Sequence, residues 1–250
     1  MRRLPMDVDH AAELVCGASR PVVFTGAGMS KESGMRTFRG PEGFWRRYRA
    51  EELASIDGIR KNPALAWKWY GERFRILDDL EPHAGYRALF RLQEWKGNLF
   101  VVTQNVDGLH RKAGLRNVVE LHGSLRTASC LEKCGAARIP MDDDLFSRVP
   151  PRCVCGSVLR PDVVLFGENL PERELKKAFE LAENCDLMLV VGTSMVVYPA
   201  AFLPYAALSA GIPVVEVNPE RTPLSDMQGV IRLAGEAGEV LPQLVEEAMG

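Results

Sequence analysis

The sequence predicts an α/β fold in which helices cover both faces of a parallel sheet. The β-branched run Pro21–Thr25 ends in Gly-Ala-Gly, a pattern typical of a buried strand that turns into a phosphate-binding loop. From residue 172 to residue 249, helical and strand patterns alternate with short loops, as they do in proteins with parallel sheets. Residues 39–80 and 124–160 interrupt this alternation, and we expect them to form a small second domain.

The composition is that of an ordinary globular protein, and it excludes several classes of function. Of the 250 residues, 46% are hydrophobic and 26% are charged, and the formal net charge is -2. Such a chain has no general attraction to nucleic acid or to an anionic membrane. The longest apolar runs, such as residues 187–191, are too short to span a bilayer. We expect a cytoplasmic monomer that binds no membrane and no specific nucleic-acid sequence.

The hydrophobic pattern predicts the order of the elements. Apolar residues at helical spacing predict a first helix over residues 9–18. Asn62 and Pro63 predict the N-cap and first turn of a helix that continues to about residue 80. Further helices are predicted over residues 85–95, 172–183, 198–209 and 239–249, and further strands over residues 99–102, 118–121, 187–191 and 214–217.

We expect residues 1–38, 81–123 and 161–250 to form a Rossmann-like domain. In its glycine loop, Gly26 permits a tight turn and Gly28 lets backbone N–H groups approach a pyrophosphate. Because Lys31 replaces the third glycine of the dinucleotide fingerprint, the loop alone is a weak signal. The loop continues with more polar groups than a structural turn needs, and with one aromatic residue among them: Ser30, Glu32, Ser33, Thr37, Phe38 and Arg39.

Four stretches together resemble one known family. They are residues 26–40, residues 103–110, residues 120–124 and the Gly-Thr-Ser segment at residues 192–194, in the family's order and at its spacing. The chain resembles the sirtuins, the NAD-dependent protein-lysine deacylases, over roughly residues 10–245. The resemblance implies an enzyme that transfers acetyl, and also succinyl or malonyl, groups from protein lysines to ADP-ribose, releasing nicotinamide and 2′-O-acyl-ADP-ribose.

His122 follows a predicted strand and is the expected catalytic residue. A lone histidine is more often a core residue satisfied by its neighbours. The resemblance implies instead that His122 is a general base, which removes a ribose hydroxyl proton while it is neutral. It also implies that Asn105 and Gln104 position that ribose and that Asp107 holds the nicotinamide carboxamide. An Asx turn at the strand end is the alternative explanation for Asn105 and Asp107.

The remaining cofactor residues are implied by the same resemblance. Arg39 would orient the diphosphate, Phe38 would screen the reacting ribose from solvent, and Thr193 and Ser194 would contact phosphate oxygens. Loop capping is an alternative for each of these residues taken singly. The complete expected NAD set is Gly26, Ala27, Gly28, Ser30, Glu32, Thr37, Phe38, Arg39, Gln104, Asn105, Asp107, Gly192, Thr193, Ser194, Asn218, Pro219, Glu220 and Ala237.

Four of the six cysteines lie in two close pairs, Cys130 with Cys134 and Cys153 with Cys155. The resemblance implies that they hold one structural zinc ion per chain, which would stabilise a module without a large core. Three residues separate the first pair and one separates the second, which departs from the family's usual spacing. We expect strain if Cys153 and Cys155 ligate the same ion. A three-cysteine site, a lost metal and oxidised pairs are the alternatives.

Tyr70 and Arg73 are three residues apart on a predicted helix, so their side chains are neighbours on one face. The simplest interpretation puts Tyr70 in the core and Arg73 on the surface. The pair also resembles that of the class III sirtuins, where it binds the distal carboxylate of succinyl, malonyl or glutaryl groups. We expect an extended substrate peptide to add as a strand along Val163, Val164, Phe166, Gly167 and Glu168.

Two other functions are consistent with parts of the sequence. A Rossmann-type NAD oxidoreductase would explain the glycine loop, but the third glycine and a hydride-transfer constellation are missing. A non-enzymatic, zinc-containing binding module would explain the cysteines, but the net charge and the cysteine spacing disfavour it as a nucleic-acid-binding protein.

Overall fold

The computed structural model describes residues 6–35 and 50–250. Three of the predicted cofactor residues, Thr37, Phe38 and Arg39, lie outside the described residues. Within the described part, none of the helices is long and apolar enough to cross a membrane.

The main sheet consists, in the described part of the chain, of six parallel strands. Its order reverses at the first strand, because the next two strands along the chain lie on one side of it and the last three on the other. Such a reversal opens a crevice at the carboxyl ends of the strands, where ligands bind in open α/β sheets. In spatial order the strands are β3 (Val118–Glu120), β2 (Phe100–Thr103), β1 (Pro21–Thr25), β7 (Leu187–Val191), β8 (Val214–Val217) and β9 (Val230–Leu233).

Helices cover both faces of this sheet, as predicted. Successive residues of β1 alternate between the two faces, so Val23 packs in one hydrophobic cluster while Val22 and Phe24 pack in the other. The first cluster includes α1 (Met6–Gly17), α6 (Ala84–Lys96) and α10 (Ala237–Met249), and the second includes α8 (Glu172–Asn184) and α9 (Phe202–Ser209). Two short helices follow strand ends, α2 (Gly28–Lys31) and α7 (Leu109–Lys112).

The two inserted segments pack against each other. The cysteine segment forms a small antiparallel sheet of β5 (Ile139–Pro140), β4 (Gly123–Cys130) and β6 (Leu159–Val163), with a 3-10 turn at Leu145–Ser147. The helical segment contains α3 (Ala50–Leu53), α4 (Ile56–Lys61) and α5 (Pro63–Leu77). The buried Trp67 joins them, since its indole Nε1 donates to the Leu159 carbonyl at 2.7 Å and its ring meets Phe146 edge-on. Their apolar residues continue the core of the main sheet.

Most element predictions are confirmed within a few residues. The Asn62 side chain accepts a hydrogen bond from Leu65 N at 3.1 Å, which is the predicted N-cap. The predicted helix over residues 198–209 begins only at Phe202, because Tyr198 precedes Pro199 and the residue before a proline disfavours the helical conformation. The helix predicted to reach residue 80 ends at Leu77. Strand β9 was not predicted, since Arg232 interrupts its short apolar run.

Candidate active site at the carboxyl ends of the sheet

A cavity of about 1040 Å³ lies where the strands of the main sheet end. Residues that directly follow β1, β2, β7 and β8 line it, namely Gly26, Gln104, Gly192 and Asn218. The predicted cofactor residues in its lining are Gly26, Ala27, Gly28, Gln104, Asn105, Gly192, Thr193, Ser194, Asn218, Pro219, Glu220 and Ala237. His122 lines the same cavity, and so do the predicted substrate residues Tyr70, Arg73, Val163, Val164, Phe166, Gly167 and Glu168.

The glycine loop is packed tightly against the loop that follows β7. A Cβ atom at Gly26 would lie 2.7 Å from Thr193 Cβ, and one at Gly28 would lie 2.8 Å from Gly192 Cα. Both amides are used within the protein, because Gly26 N donates to Val191 O at 3.0 Å and Gly28 N donates to Gly192 O at 2.8 Å. The N–H groups of Gly26 and Gly28 are therefore not themselves available to a pyrophosphate in this structure. The glycines let two strand-end loops approach closely and leave a backbone-lined cradle beside them.

A buried hydrogen-bond network fixes the orientation of Asn105. Its amide Nδ2 donates to Gly26 O and to Ser30 Oγ, both at 2.9 Å, which leaves its carbonyl oxygen for a ligand in the cavity. Ser30 has a single proton, and it donates this proton to Asp107 Oδ2 at 2.7 Å. The Tyr86 hydroxyl lies 2.9 Å from Ser30 Oγ and must therefore be the donor of that bond.

Two residues that we expected to contact the cofactor lie behind the residues that line the cavity. Ser30 and Asp107 are buried and meet each other in the network, and neither lines the cavity. Asp107 also accepts from Leu109 N at 2.9 Å, as an Asx turn does, and burial raises the pKa of its carboxyl. In this structure Asp107 acts on the cavity through Ser30 and Asn105. Tyr86 was not predicted, because a buried tyrosine on a helix gives no local signal of function.

His122 is held as a neutral base. Its Nδ1 lies 3.0 Å from Gln104 O, and because a carbonyl only accepts, Nδ1 carries the proton and Nε2 keeps a lone pair. Burial lowers the pKa of His122, while its hydrogen bond to the Gln104 carbonyl acts in the opposite direction. At pH 7 the imidazole can therefore accept a proton at Nε2.

Two of the other histidines have structural roles. His83 accepts from Gly85 N at 3.0 Å, which caps α6, and its Nε2 donates to Met29 O at 2.7 Å, which ties that cap to the glycine loop. His110 is buried, with its Nε2 3.2 Å from the Thr25 hydroxyl.

The loops that follow β2, β7 and β8 are joined by side-chain hydrogen bonds at the cavity. Asn218 Nδ2 donates to Thr193 O at 2.8 Å, and Gln104 Nε2 donates to Thr193 Oγ1 at 2.9 Å. Glu32, a predicted cofactor residue, does not line the cavity; its carboxylate accepts from Gly238 N at 2.6 Å in the first turn of α10. Arg232, which sequence analysis missed, donates to the carbonyls of Asn218 and Pro219.

Tyr70 and Arg73 both line the cavity. They are only 3% and 6% exposed, so the interpretation that puts Arg73 on the surface is wrong. The Arg73 guanidinium lies 3.4 Å from the ring centroid of Trp69 and donates to the Trp69 carbonyl at 2.7 Å, which holds the cation in the cavity wall. Burial raises the pKa of Tyr70, so its phenol is protonated and can donate.

The segment expected to bind peptide is already bonded to the protein at several points. Val164 N donates to His122 O at 2.8 Å, and Phe166 N donates to Ala54 O at 2.7 Å. Leu165 N donates to the Glu168 carboxylate at 2.9 Å. Gly167 has positive φ and open space around its Cα, where a Cβ would meet nothing within 4 Å. The accessible part of this segment is therefore its last part.

All four clustered cysteines converge. Their Sγ atoms lie within 4.8 Å of one another, with 3.6 Å between Cys130 and Cys155 and 3.4 Å between Cys134 and Cys153. Thiolates about 2.3 Å from a tetrahedral zinc ion are about 3.8 Å apart, so the cluster fits such an ion. The N–H of Cys134 lowers the pKa of the Cys130 thiol to about 6, which favours the thiolate.

Cys153 and Cys155 both reach the cluster although a single residue separates them. A turn in which Gly156 N donates to Cys153 O at 2.8 Å places both thiols on the same side, and Gly156 has the φ of 90° that this turn needs.

Comparison with known proteins agrees with this geometry. A model of the Sir2 family matches residues 26–199 of the chain. The chain belongs to the Sir2 family. One relative in this family, an NAD-dependent protein deacylase from Pyrobaculum aerophilum, is 49% identical over 239 residues, which cover 95% of this chain and 94% of that protein.

Solved structures of Sir2 proteins share the fold. A Sir2 homolog in complex with NAD is 40% identical with a TM-score of 0.85, covering 96% of this chain and 93% of its own. A Sir2 protein with a deacetylated p53 peptide and 3′-O-acetyl ADP-ribose is 33% identical with a TM-score of 0.87, covering 97% and 98% of the two chains. The α/β sheet with an inserted cysteine module is thus the fold of Sir2 proteins.

Proposed function

We propose that this protein is an NAD-dependent protein-lysine deacylase, which removes acetyl groups, and succinyl or malonyl groups, from lysine side chains. The observation that supports it best is that one cavity is lined by a neutral histidine, by the strand-end loops at Gly26 and Gly192, and by the Tyr70 and Arg73 pair. A relative that covers nearly the whole chain is an NAD-dependent protein deacylase.

NAD, when bound, would supply a ribose whose C1′ exchanges its bond to nicotinamide for a bond to the acyl carbonyl oxygen, and whose 2′-oxygen takes up the acyl carbon. Water would supply the oxygen that replaces the lysine nitrogen on that carbon. Asn105 presents its carbonyl oxygen to the cavity, with its amide hydrogens used by Gly26 and Ser30, and so is suited to orient a ribose hydroxyl. His122 Nε2 accepts a hydroxyl proton, and the Gln104 carbonyl stabilises the imidazolium that results. Thr193 and Asn218, which line the cavity and are bonded to each other, would contact the rest of the nucleotide.

Tyr70 and Arg73, which line the same cavity, would bind an acyl carboxylate. A guanidinium and a protonated phenol in an apolar wall form charge-assisted hydrogen bonds with a carboxylate, and a neutral acetyl group offers them no partner. We infer a preference for succinyl or malonyl over acetyl groups, as in class III sirtuins. The extended peptide would lie along the segment that ends in Gly167 and Glu168.

Three further assignments belong to this proposal. Residues 1–38, 81–123 and 161–250 form the NAD-binding domain, and residues 39–80 and 124–160 form the small domain, which one zinc ion stabilises through the four cysteines. The enzyme acts as a monomer, which sedimentation equilibrium tests. It acts in the cytoplasm, which cell fractionation tests.

One assay tests the proposed function against its rivals. The protein is incubated with NAD and matched acetyl- and succinyl-lysine peptides, and nicotinamide and acyl-ADP-ribose are quantified. We expect both products to form in equal amounts, and only when an acylated peptide is present. Formation of NADH would support the oxidoreductase instead, and no consumption of NAD with any peptide would support the binding module.

A further inference from the structure

An ion pair between Arg160 and Glu168 lies close enough to Tyr70 for both charges to act on its phenol. Arg160 and Glu168 form a bidentate ion pair, with Nη1 2.5 Å from Oε1 and Nη2 2.8 Å from Oε2. Both side chains are largely buried, at 15% and 26% exposure. Pairs of this geometry are stronger and more rigid than exposed ion pairs.

Glu168 belongs to the same cavity wall as Tyr70 and Arg73. A carboxylate in that wall would repel an acyl carboxylate and oppose the attraction of Arg73. Burial by itself would raise the pKa of Glu168, but its hydrogen bonds from Arg160 and from Leu165 N outweigh this and hold the pKa below its usual value. Glu168 is therefore ionised, and Arg160 is the cation that compensates it.

We propose that the Arg160–Glu168 pair determines acyl specificity by setting the net charge of the cavity wall. While Arg160 cancels Glu168, the Glu168 carboxylate adds no net negative charge to the wall that contains Tyr70 and Arg73. The pair thus keeps the wall suited to a monoanionic acyl group such as succinyl, although neither residue needs to touch the acyl group. This inference rests on the proposed deacylase function and adds a second determinant to the Tyr70 and Arg73 pair.

Two substitutions break the same ion pair and leave opposite charges. Arg160→Gln leaves Glu168 uncompensated, so the ratio of kcat/KM for succinyl over acetyl peptide should fall. Glu168→Gln leaves Arg160 uncompensated, so the same ratio should rise. For unit charges several ångströms apart in a partly desolvated cavity, we expect each change to be on the order of threefold to tenfold. The double variant carries neither charge and should return close to the wild-type ratio.

This design separates charge from damage to the fold. If a substitution only disturbed packing or displaced the peptide segment, kcat/KM would fall equally for the succinyl and the acetyl peptide, or the ratio would move in the same direction in both single variants. Either result would overturn the proposal. Arg60 and Glu132 form an exposed pair at 3.3 Å and serve as the matched control. Arg60→Gln and Glu132→Gln should leave the ratio unchanged, because water screens that pair.

The deacylase proposal and the ion-pair proposal fail in different ways. If the wild-type protein releases no nicotinamide with either peptide, the proposed function fails. If it releases nicotinamide but the two single variants do not move the ratio in opposite directions, only the role of the ion pair fails.

Discussion

At the scale of single residues, the surroundings of each histidine decide its role. The sequence contains four histidines. His122 donates a hydrogen bond from Nδ1 to the Gln104 carbonyl, and its Nε2 has no such partner among the described residues. In His83 both ring nitrogens form hydrogen bonds, one that caps α6 and one to Met29 O. His110 is enclosed on all sides. Of these three histidines, His122 combines a lone pair at Nε2 with a place in the cavity lining, which is what a general base needs.

His122→Ala should abolish deacylation while NAD still binds. In the proposed mechanism the imidazole takes up a proton, and general bases contribute about a hundredfold to ten-thousandfold to the rate. The rate is measured by release of deacylated peptide, and NAD binding by calorimetry. Near-normal turnover in this variant would exclude His122 as the base.

The pH dependence of the wild-type enzyme should reflect the lowered pKa of His122. A base is active when it is neutral, so activity is present above the folded-state pKa and is lost as pH falls through it. Because burial lowers this pKa, the acid limb of kcat/KM should have its midpoint below about 6.5. A midpoint above that value would contradict the environment that the structure shows.

His110 should make stability depend on pH. Burial lowers its pKa to about 3, so above about pH 6.5 it is neutral in both the folded and the unfolded chain. As pH falls from about 6.5 towards 3, His110 takes up a proton in the unfolded chain but stays neutral in the folded chain. The free energy of unfolding therefore falls by up to about 1.4 kcal/mol per pH unit. His110→Gln should flatten this dependence in urea titrations at about pH 7 and about pH 5. Equal slopes for the two proteins would contradict it.

At the scale of elements, α5 shows how a helix presents two residues to one site. Its residues Tyr70 and Arg73 are adjacent on one face because they are three residues apart, and that face borders the cavity. The Arg73 guanidinium lies over the Trp69 ring, which fixes its position. Helical spacing predicts that the two residues are neighbours, but only the packing of α5 decides that this face points inward.

Arg73→Met should erase most of the preference for succinyl over acetyl peptides. A charge-assisted contact is worth roughly 1.5 to 3 kcal/mol, so the preference should fall by about tenfold to a hundredfold, while acetyl-lysine turnover survives. The measurement is kcat/KM for matched peptides. Arg75→Met, an exposed position on the same helix, is the control. An unchanged ratio in Arg73→Met would remove Arg73 from acyl recognition.

At the scale of the whole molecule, the inserted module and the main sheet share one continuous apolar core. Leu125 and Ala128 of β4 belong to the same cluster as Val23 of β1. Because the module and the main sheet share this core, a zinc ion that joined the four cysteines would bear on the stability of the entire chain.

Zinc loss should therefore destabilise the whole protein. We expect about one zinc per chain in freshly purified protein, and much less in Cys134→Ser. Loss of a structural metal costs on the order of 4 kcal/mol, or roughly 8 to 16 °C in Tm for a chain of this size. Metal analysis and thermal denaturation check this, with Cys16→Ser, an exposed cysteine outside the cluster, as the control. Wild-type protein without zinc would contradict the assignment.

Local sequence patterns predict five of the six described strands of the main sheet and the N-cap at Asn62, because each depends on residues close together in the chain. They also place His122 and Asn105 at strand ends, which parallel strands bring to one edge of the sheet. Tertiary structure alone decided that Asp107 lies behind Asn105, that Arg73 faces inward and that Arg160 compensates Glu168 beside Arg73. It also decided that four cysteines with irregular spacing meet in one cluster. These features depend on strand order, on the pairing of β4 with β6 and on how α5 packs across them, and no local pattern encodes contacts between segments so distant in the chain.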